Sequence, residues 1–252
     1  MNAQPKFKIY PSLLDSYQNY LDSDLIWEKY WGGSENPPHT PDEFREMQFI
    51  TLINRINRVP IKWEDCEAAD RGTAFNEIVD CIIENRDSKK MLIQKVVNDD
   101  GITTGIKSTY NNREFVFPIG ICREFSEYFK GALTQQYVEA ILYTIYGDVL
   151  LYGFIDELMP QSVHDIKTTS RYNFGKFKNN TQHLVYPYCL IHSGNDIQEF
   201  EYVVLSNNEM FKELYYFKPE RDTEILRNKC ELFIEFLIQN RKLITDTKIF
   251  NQ

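Results

Sequence analysis

Three runs of β-forming residues follow one another closely in the second half of the chain, and they restrict its fold more than any other feature. They cover Tyr137–Tyr146, Val149–Asp156 and Val163–Lys167, with turn residues at Gly147-Asp148 and at Met159-Pro160-Gln161-Ser162. Because connections this short hold neighbouring strands antiparallel, the runs predict a set of antiparallel hairpins. Any fold of this chain must therefore contain that sheet.

Helical patterns surround the predicted hairpins. They cover residues 11–30, 42–57, 71–86, about 180–193 and about 221–241, and one more strand is predicted at 198–206. Thr40-Pro41 opens the second helix after a loop at 32–41, and Asn179 or Asn180 is expected to cap the fourth. Residues 87–130 carry no clear pattern. The mixture predicts an α/β (α+β) fold, with a central mixed sheet flanked by helices and with N- and C-terminal helical extensions.

No linker-like tract or internal repeat divides the 252 residues, so we expect one domain over 1–252, with a helical part at 1–60, a core at 63–206 and a C-terminal helical part at 207–252. We find no apolar run typical of a secretory signal or a membrane span. The five cysteines are widely spread, without a Cys-x-x-Cys pair: Cys66, Cys81, Cys122, Cys189 and Cys230. This pattern is typical of free thiols in the cytoplasm and argues against an iron–sulfur cluster or a zinc site.

Two aspartates are placed to face each other across the second turn. Asp156 and Asp165 are equally far from the turn centre, which lies between residues 160 and 161. Opposed residues of antiparallel strands have Cβ atoms about 5 Å apart. Carboxylates at that separation repel each other unless a cation lies between them, and hard oxygen ligands suit Mg²⁺ or Mn²⁺.

Lys167 follows Asp165 by two residues, so strand alternation places both side chains on the same face. A divalent cation, two carboxylates and an ammonium group together are suited to hydrolysing a phosphodiester bond. The simpler alternative is a surface Asp–Lys pair on a hairpin.

Four short motifs occur in the order found in one nuclease superfamily. Arg71-Gly72-Thr73-Ala74-Phe75-Asn76-Glu77 is similar to G-T-x-x-H, Gly153-Phe154-Ile155-Asp156 to G-x-x-D, Asp165-Ile166-Lys167-Thr168-Thr169 to D-x-K-T-G, and Gln182-His183-Leu184-Val185-Tyr186 to Q-x-x-x-Y. Over about residues 10–190, the chain thus resembles the PD-(D/E)XK nuclease superfamily, and within it the RecB-like exonucleases, including CRISPR-associated members.

The resemblance implies a restriction-endonuclease-like core and a metal-dependent deoxyribonuclease, an exonuclease that processes DNA ends in repair, recombination or replication. It implies that Mg²⁺ or Mn²⁺ is held by Asp156, Asp165 and the backbone carbonyl of Ile166. Lys167 would be the catalytic lysine. Gln182 and Tyr186 would contact the DNA strand near the scissile phosphate.

The chain departs from the family pattern at Asn76, where a metal-binding histidine is usual. Glu77 is a candidate substitute ligand, although Glu77, Asp80 and Glu84 are equally consistent with a solvated acidic helix face. Glu139 is a further candidate metal ligand, and the alternative is a strand carboxylate that faces solvent. The cysteines that hold an iron–sulfur cluster in many relatives are missing, so no such cluster is expected.

The net charge is −9, but its distribution is uneven. No acidic residue lies between Ile166 and Asn195, and this window contains Arg171, Lys176 and Lys178. On the nuclease interpretation these three contact backbone phosphates, while Tyr172, Phe174 and Phe177 stack on unpaired bases. The alternative for the window is a solvated basic loop with its aromatic residues in the core.

DNA is the expected partner, with a helicase or recombination protein or a second copy of the chain as further candidates. The alternative to the nuclease is a catalytically inactive module that binds nucleic acid or protein and has the same fold. The replacement of the usual histidine by Asn76 would be the first sign that catalysis has been lost.

Overall fold

The computed structural model describes residues 4–251, and within them seven α-helices and nine strands form a mixed α/β fold. In chain order the elements are β1 (Phe7–Ile9), α1 (Pro11–Leu21), α2 (Ser23–Trp31), α3 (Pro41–Ile56), α4 (Glu67–Ile83), β2 (Leu92–Val97), β3 (Thr103–Tyr110), β4 (Arg113–Pro118), α5 (Ile119–Tyr128), β5 (Leu133–Thr144), β6 (Gly147–Leu158), β7 (Ser162–Thr168), α6 (Gln182–His192), β8 (Glu199–Ser206), β9 (Glu209–Tyr216) and α7 (Pro219–Gln239). Short 3₁₀ turns lie at Trp63–Cys66, Arg241–Leu243 and Thr247–Phe250.

Six strands form the central mixed sheet that the sequence predicts. β5 pairs with β6 along its length, while β1 and β7 share the other edge of β6. β1 runs parallel to the beginning of β6 at residues 149–151, and β7 runs antiparallel to its end at residues 157–158. The edge of β6 between these two partners, residues 152–156, is therefore free of a paired strand, and the motif Gly-x-x-Asp lies in it.

A helical crossover extends the sheet beyond β7. β7 and β8 are parallel neighbours, and α6 connects them while packing on β5, β6 and β8. The predicted helix at 180–193 is confirmed, but its cap is Thr181 rather than Asn179 or Asn180. The Thr181 hydroxyl lies 2.9 Å from the Pro11 carbonyl and 2.8 Å from a carboxylate oxygen of Asp15, both on α1. A tertiary contact, not a local cap, thus fixes the start of α6.

Residues 87–130, to which the sequence assigns no pattern, form a second sheet of order β2-β3-β4, followed by α5. α4 lies between the two sheets. The sequence predicts an apolar stripe of Phe75, Ile78, Val79 and Ile82 on this helix; the first three are buried, whereas Ile82 is 40% exposed. Phe75 packs against Phe117 and Phe125 with ring centroids 5.0 and 4.8 Å apart. This second core holds α4 against the end of β7.

The structure corrects three element predictions, which concern the first helix, the first hairpin turn and the C-terminal part. The helix expected at 11–30 is two helices, which divide at Asp22. The Ser23 hydroxyl donates to the Tyr20 carbonyl there, and such a side-chain bond competes with the backbone bonds that would continue one helix. The first hairpin turn lies at Ile145-Tyr146, because Gly147, with φ +116°, already pairs with Thr144.

The C-terminal part 207–252 is not all helical. It contains β9, which returns from β8 through Asn207-Asn208, both with positive φ. Asparagine tolerates that conformation, which a two-residue hairpin loop requires, so the signal was present in the sequence. No helix among residues 4–251 is long and apolar enough to cross a membrane.

Candidate active site

Asp156 and Asp165 face each other where β6 and β7 separate. The ladder pairs Leu158 with Val163 and Glu157 with His164, and its next step places Asp156 opposite Asp165, in the register that the sequence predicts. Beyond this point the backbone N–H of Ile166 donates to the Asp156 carboxylate at 2.9 Å. The side chain of Asp156 thus accepts a hydrogen bond from β7 at a point where β6 and β7 are no longer paired.

Asp165, Lys167 and Gln182 form a closed triangle of contacts. The Lys167 ammonium nitrogen lies 2.7 Å from Asp165 Oδ2 and 2.8 Å from Gln182 Oε1, and Gln182 Nε2 donates to Asp165 Oδ1. β7 supplies the first two residues and the first turn of α6 supplies the third. The predicted DNA-binding residue Gln182 therefore orients the lysine and the carboxylate in this structure.

Burial and like charge alter proton affinity at this site. Burial, and then the neighbouring charge of Asp165, raise the pKa of Asp156 to about 7. Burial by itself lowers the pKa of Lys167, but the carboxylates of Asp165 and Asp156 outweigh it, and the net pKa lies above its usual value. Lys167 is consequently an ammonium ion at neutral pH, suited to donating hydrogen bonds and balancing negative charge but unable to act as a base.

Asn76 brings α4 to the same point. Its Nδ2 donates to Asp156 Oδ2 at 3.2 Å, and its Oδ1 is buried without a hydrogen-bond partner among the described residues. Gly72 leaves room where α4 approaches β7, because a Cβ there would lie 3.2 Å from the hydroxyl oxygen of Thr168. The glycine of the first motif thus permits the asparagine to reach the aspartate.

Glu77 lies elsewhere. It is 2% exposed and bonds to Arg86 at 2.7 Å and to Lys90 at 3.0 Å. Burial alone raises the pKa of Glu77, but these hydrogen bonds outweigh it and lower that pKa to about 2. Its charge is neutralised by two cations, and it is not brought to Asp156.

The acidic face of α4 is not solvated, which corrects that alternative: Asp80 is buried as well as Glu77, while only Glu84 remains exposed. Asp80 lies beside Glu157, which is also buried. Burial raises the pKa of both carboxyls, and the charge of Asp80 raises that of Glu157 further, so the pair holds one proton at neutral pH. Nothing in the sequence pairs these two residues.

Glu139 is also separate from the two aspartates. It lies opposite Tyr152, four residues along β6 from Asp156, and accepts a hydrogen bond of 2.6 Å from the Tyr137 hydroxyl. It is exposed, as the solvent-facing alternative expects. Within residues 4–251 no three His, Cys, Asp or Glu side chains converge on a common metal position. The oxygen donors near one another are instead Asp156, Asp165 and the unpartnered amide oxygen of Asn76.

Tyr186 is buried against β6. It is 5% exposed, and its ring lies over Gly153. The side chain of Gln182, one turn earlier on α6, is bonded to Asp165 and Lys167. Both residues of the fourth motif therefore face the strands of the candidate site. Tyr186 packs on β6, and Gln182 is hydrogen-bonded to two residues of β7.

Arg171, Lys176 and Lys178 come together around one pocket of about 610 Å³ on the loop between β7 and α6. Sequence reasoning missed two further members, Lys29 and Tyr30, which α2 contributes from far along the chain. No acidic residue lines the pocket. Four cations in one pocket give it a positive lining, in a chain of net charge −9.

The three aromatic residues of the same loop differ in their exposure to solvent. Phe174 is 87% exposed beside the basic pocket. Tyr172 packs on Phe211 and Phe177 on Tyr202, with ring centroids 4.9 and 5.4 Å apart. The alternative that placed loop aromatics in the core thus holds for two of the three.

Asp15 is another residue that the sequence did not single out. One carboxylate oxygen accepts from both the backbone N–H and the hydroxyl of Thr181, at 2.7 and 2.8 Å. Burial raises the pKa of Asp15 to about 6. By holding the residue that precedes Gln182, Asp15 positions the first turn of α6 relative to β7.

Comparisons with known proteins identify no family. No family model matches the chain, and no curated protein matches it. Solved structures with some similarity include the crystal structure of SSO0001, with a TM-score of 0.34 and 12% identity over 44% of this chain. Another is Rai1 of Scheffersomyces stipitis in complex with (3′-NADP)⁺ and calcium ion, with a TM-score of 0.27 and 13% identity over 95% of this chain. The matches span 55% and 61% of those two chains, and with both TM-scores below 0.5 the similarities define neither fold nor function.

Proposed function

We propose that this protein is a metal-dependent deoxyribonuclease, an exonuclease of the RecB-like type that hydrolyses phosphodiester bonds at DNA ends in repair, recombination or replication. The observation that supports the proposal is the meeting of Asp156, Asp165 and Lys167 where β6 and β7 separate, with Gln182 bonded to two of them. Two carboxylates and an ammonium group thus converge on the diverging strands. They are the groups that phosphodiester hydrolysis requires.

The donor set fits a hard divalent cation. Asp156, Asp165, the Ile166 carbonyl and Asn76 Oδ1 are all oxygens, and two of these carry charge. Mg²⁺ or Mn²⁺ at these ligands would relieve the repulsion that raises the pKa of Asp156. When bound, the cation supplies polarisation of the scissile phosphate and acidification of a water molecule.

The chain's own residues supply orientation and charge. Lys167, fixed by Asp165 and Gln182, is placed to donate hydrogen bonds to an attacking water or to a phosphate oxygen as its negative charge grows. The basic pocket with Arg171, Lys176 and Lys178 binds neighbouring phosphates of the strand without reading its bases. We therefore expect weak sequence preference.

The test is a cleavage assay on linear and circular DNA labelled at either end, with Mg²⁺, Mn²⁺ or EDTA. Lys167→Met keeps the length of the side chain and removes its charge, and Lys95→Met is a matched control on an exposed lysine of β2. We expect metal-dependent loss of linear DNA, sparing of circles, wild-type activity in Lys95→Met and a loss of at least about a hundredfold in Lys167→Met.

Equal activity of the two lysine variants would refute the assignment of Lys167. Absence of cleavage with either metal, together with measurable DNA binding, would favour the inactive binding module.

A further inference from the structure

One face of the β5–β6 hairpin is open to solvent although it leads directly to Asp156. Residues of the opposite face, such as Val138 and Leu151, are buried beneath α6. On the open face Tyr137 is 50% exposed and Phe154 is 56% exposed, and their rings are in contact with centroids 5.2 Å apart. Large aromatic rings on an uncovered sheet face are typical of a binding surface.

Two adjoining cavities begin at the unpaired edge of β6 and continue along this face. The first, of about 370 Å³, begins at Gln182 and Tyr186 and is lined further on by Phe154 and Tyr152. The second, of about 440 Å³, continues from Tyr152 past Tyr137 toward the beginning of β6. Because Tyr152 lines both, the cavities form one groove from the candidate active site. Asp156 is six residues from Leu150 in the second cavity, so the groove is about 20 Å long.

The far end of the groove is basic. Lys8, which is in register with Leu150 on the parallel strand β1, lies there with Arg58 and Lys248. Arg58 pairs with Asp246 at 2.9 Å, and Glu139 is the one carboxylate in the lining of this cavity. Three cations against these two acids leave a positive surface, in a chain whose net charge is −9.

We propose that this groove binds an unpaired nucleic-acid strand, with bases stacked on Tyr152, Tyr137 and Phe154 and with phosphates at the basic end, and that it leads the strand to the site at Asp156. The inference rests on the proposed function and adds to it the substrate class, a single-stranded end. Aromatic faces are available to bases only when those bases are unpaired, because a duplex presents its phosphates and groove edges outward. A groove with aromatic rings along its length and cations at its far end is suited to such a strand.

The test measures binding separately from cleavage. A labelled twenty-residue oligothymidylate and a matched duplex are titrated in EDTA and followed by fluorescence anisotropy. The variants are Tyr137→Ala, Phe154→Ala and Lys248→Gln, which change exposed or half-exposed side chains; Tyr216→Ala and Lys95→Gln are matched controls on other strands.

We expect tighter binding of the single strand than of the duplex, and an affinity about tenfold weaker for each ring variant. Lys248→Gln should also reduce the slope of log Kd against log salt concentration by somewhat less than one. The controls should bind as the wild type does.

Three results would overturn the proposal: preference for the duplex, unchanged single-strand affinity in both ring variants, or a change of self-association in sedimentation as the sole effect of the ring variants. Failure of the nuclease proposal is recognised separately. If the ring variants bind normally while Lys167→Met alone loses cleavage, the groove is wrong and the nuclease stands. If the ring variants lose binding but the wild type cleaves nothing, the groove stands as a binding surface and the nuclease is wrong.

Discussion

Gly153→Ala is expected to disturb the candidate active site through a single added methyl group. A Cβ at position 153 would lie 2.7 Å from Cε1 of Tyr186 and 3.2 Å from its hydroxyl oxygen. Because the Tyr186 ring is 5% exposed and packed against its neighbours, it has little room to turn away. Overpacking of this kind costs about 1–3 kcal/mol of folding free energy.

The added methyl group should also affect activity. Tyr186 follows Gln182 by one helical turn, and Gln182 holds both Asp165 and Lys167. A shift of α6 away from β6 would therefore loosen the lysine. We expect Gly153→Ala to lower the melting temperature by about 2–12 °C, at about 2–4 °C for each kcal/mol, and to reduce cleavage more than DNA binding.

The assay is chemical denaturation combined with a double-mutant cycle. In a Tyr186→Ala background the ring is absent, so Gly153→Ala should cost at least about 1 kcal/mol less than in the wild type. Gly120→Ala on α5 is the matched control, because a Cβ there meets nothing within 4 Å. The reasoning is refuted if Gly153→Ala leaves the free energy of unfolding within about 0.5 kcal/mol of the wild type, or costs the same in both backgrounds.

Three further predictions concern charged groups. Since the pKa of Asp156 is about 7, protons compete with the cation below that pH, and Mn²⁺ affinity measured calorimetrically should fall about tenfold per pH unit from 7 to 5.5 and level off above 8. The pKa of Asp15 is raised in the folded state to about 6, so folding stability should fall as pH rises from 4 to 6, by as much as about 3 kcal/mol; Asp15→Asn should remove this fall in urea titrations at the two pH values. Arg86→Ala leaves the buried Glu77 with one cation instead of two and should cost about 1–3 kcal/mol by urea denaturation, whereas the exposed Lys130→Ala should cost less than about 0.5 kcal/mol.

The opposed aspartates could be predicted because the interaction is local. A short turn and a period of two residues determine which side chains meet, and these two features suffice to align Asp156 with Asp165. The same reasoning places Lys167 beside Asp165. It depends on no contact beyond about ten residues along the chain, the span of a short hairpin.

Contacts between distant segments could not be predicted in this way. Asp15 reaches Thr181 across 166 residues, and Lys29 joins a basic pocket formed otherwise by the loop after β7. A carboxylate in an amphipathic helix and a lysine at a helix end look ordinary in sequence, because their partners are determined only by packing. β2 was missed for another reason: it is exposed along most of its length and lacks the alternation that identifies a half-buried strand.

Asn76 occupies the position where the resembled nuclease superfamily usually has a histidine, and its orientation follows from the electrostatics of the site. In the absence of a cation, an ionised Asp156 attracts the amide N–H and repels the amide oxygen, which is the orientation observed, with Oδ1 left buried and unpartnered. An unpaired buried acceptor costs about 1–3 kcal/mol, so this orientation is stable only because the N–H bond to a carboxylate offsets it. A cation beside Asp156 would attract the amide oxygen and repel the amide N–H. Rotation about the terminal torsion of the side chain is soft enough to exchange the amide nitrogen and oxygen. A histidine at this position would present the same nitrogen in both states. On the proposed function, the asparagine would instead donate to Asp156 without metal and offer an oxygen ligand to a bound cation, which would favour Mg²⁺ over softer cations.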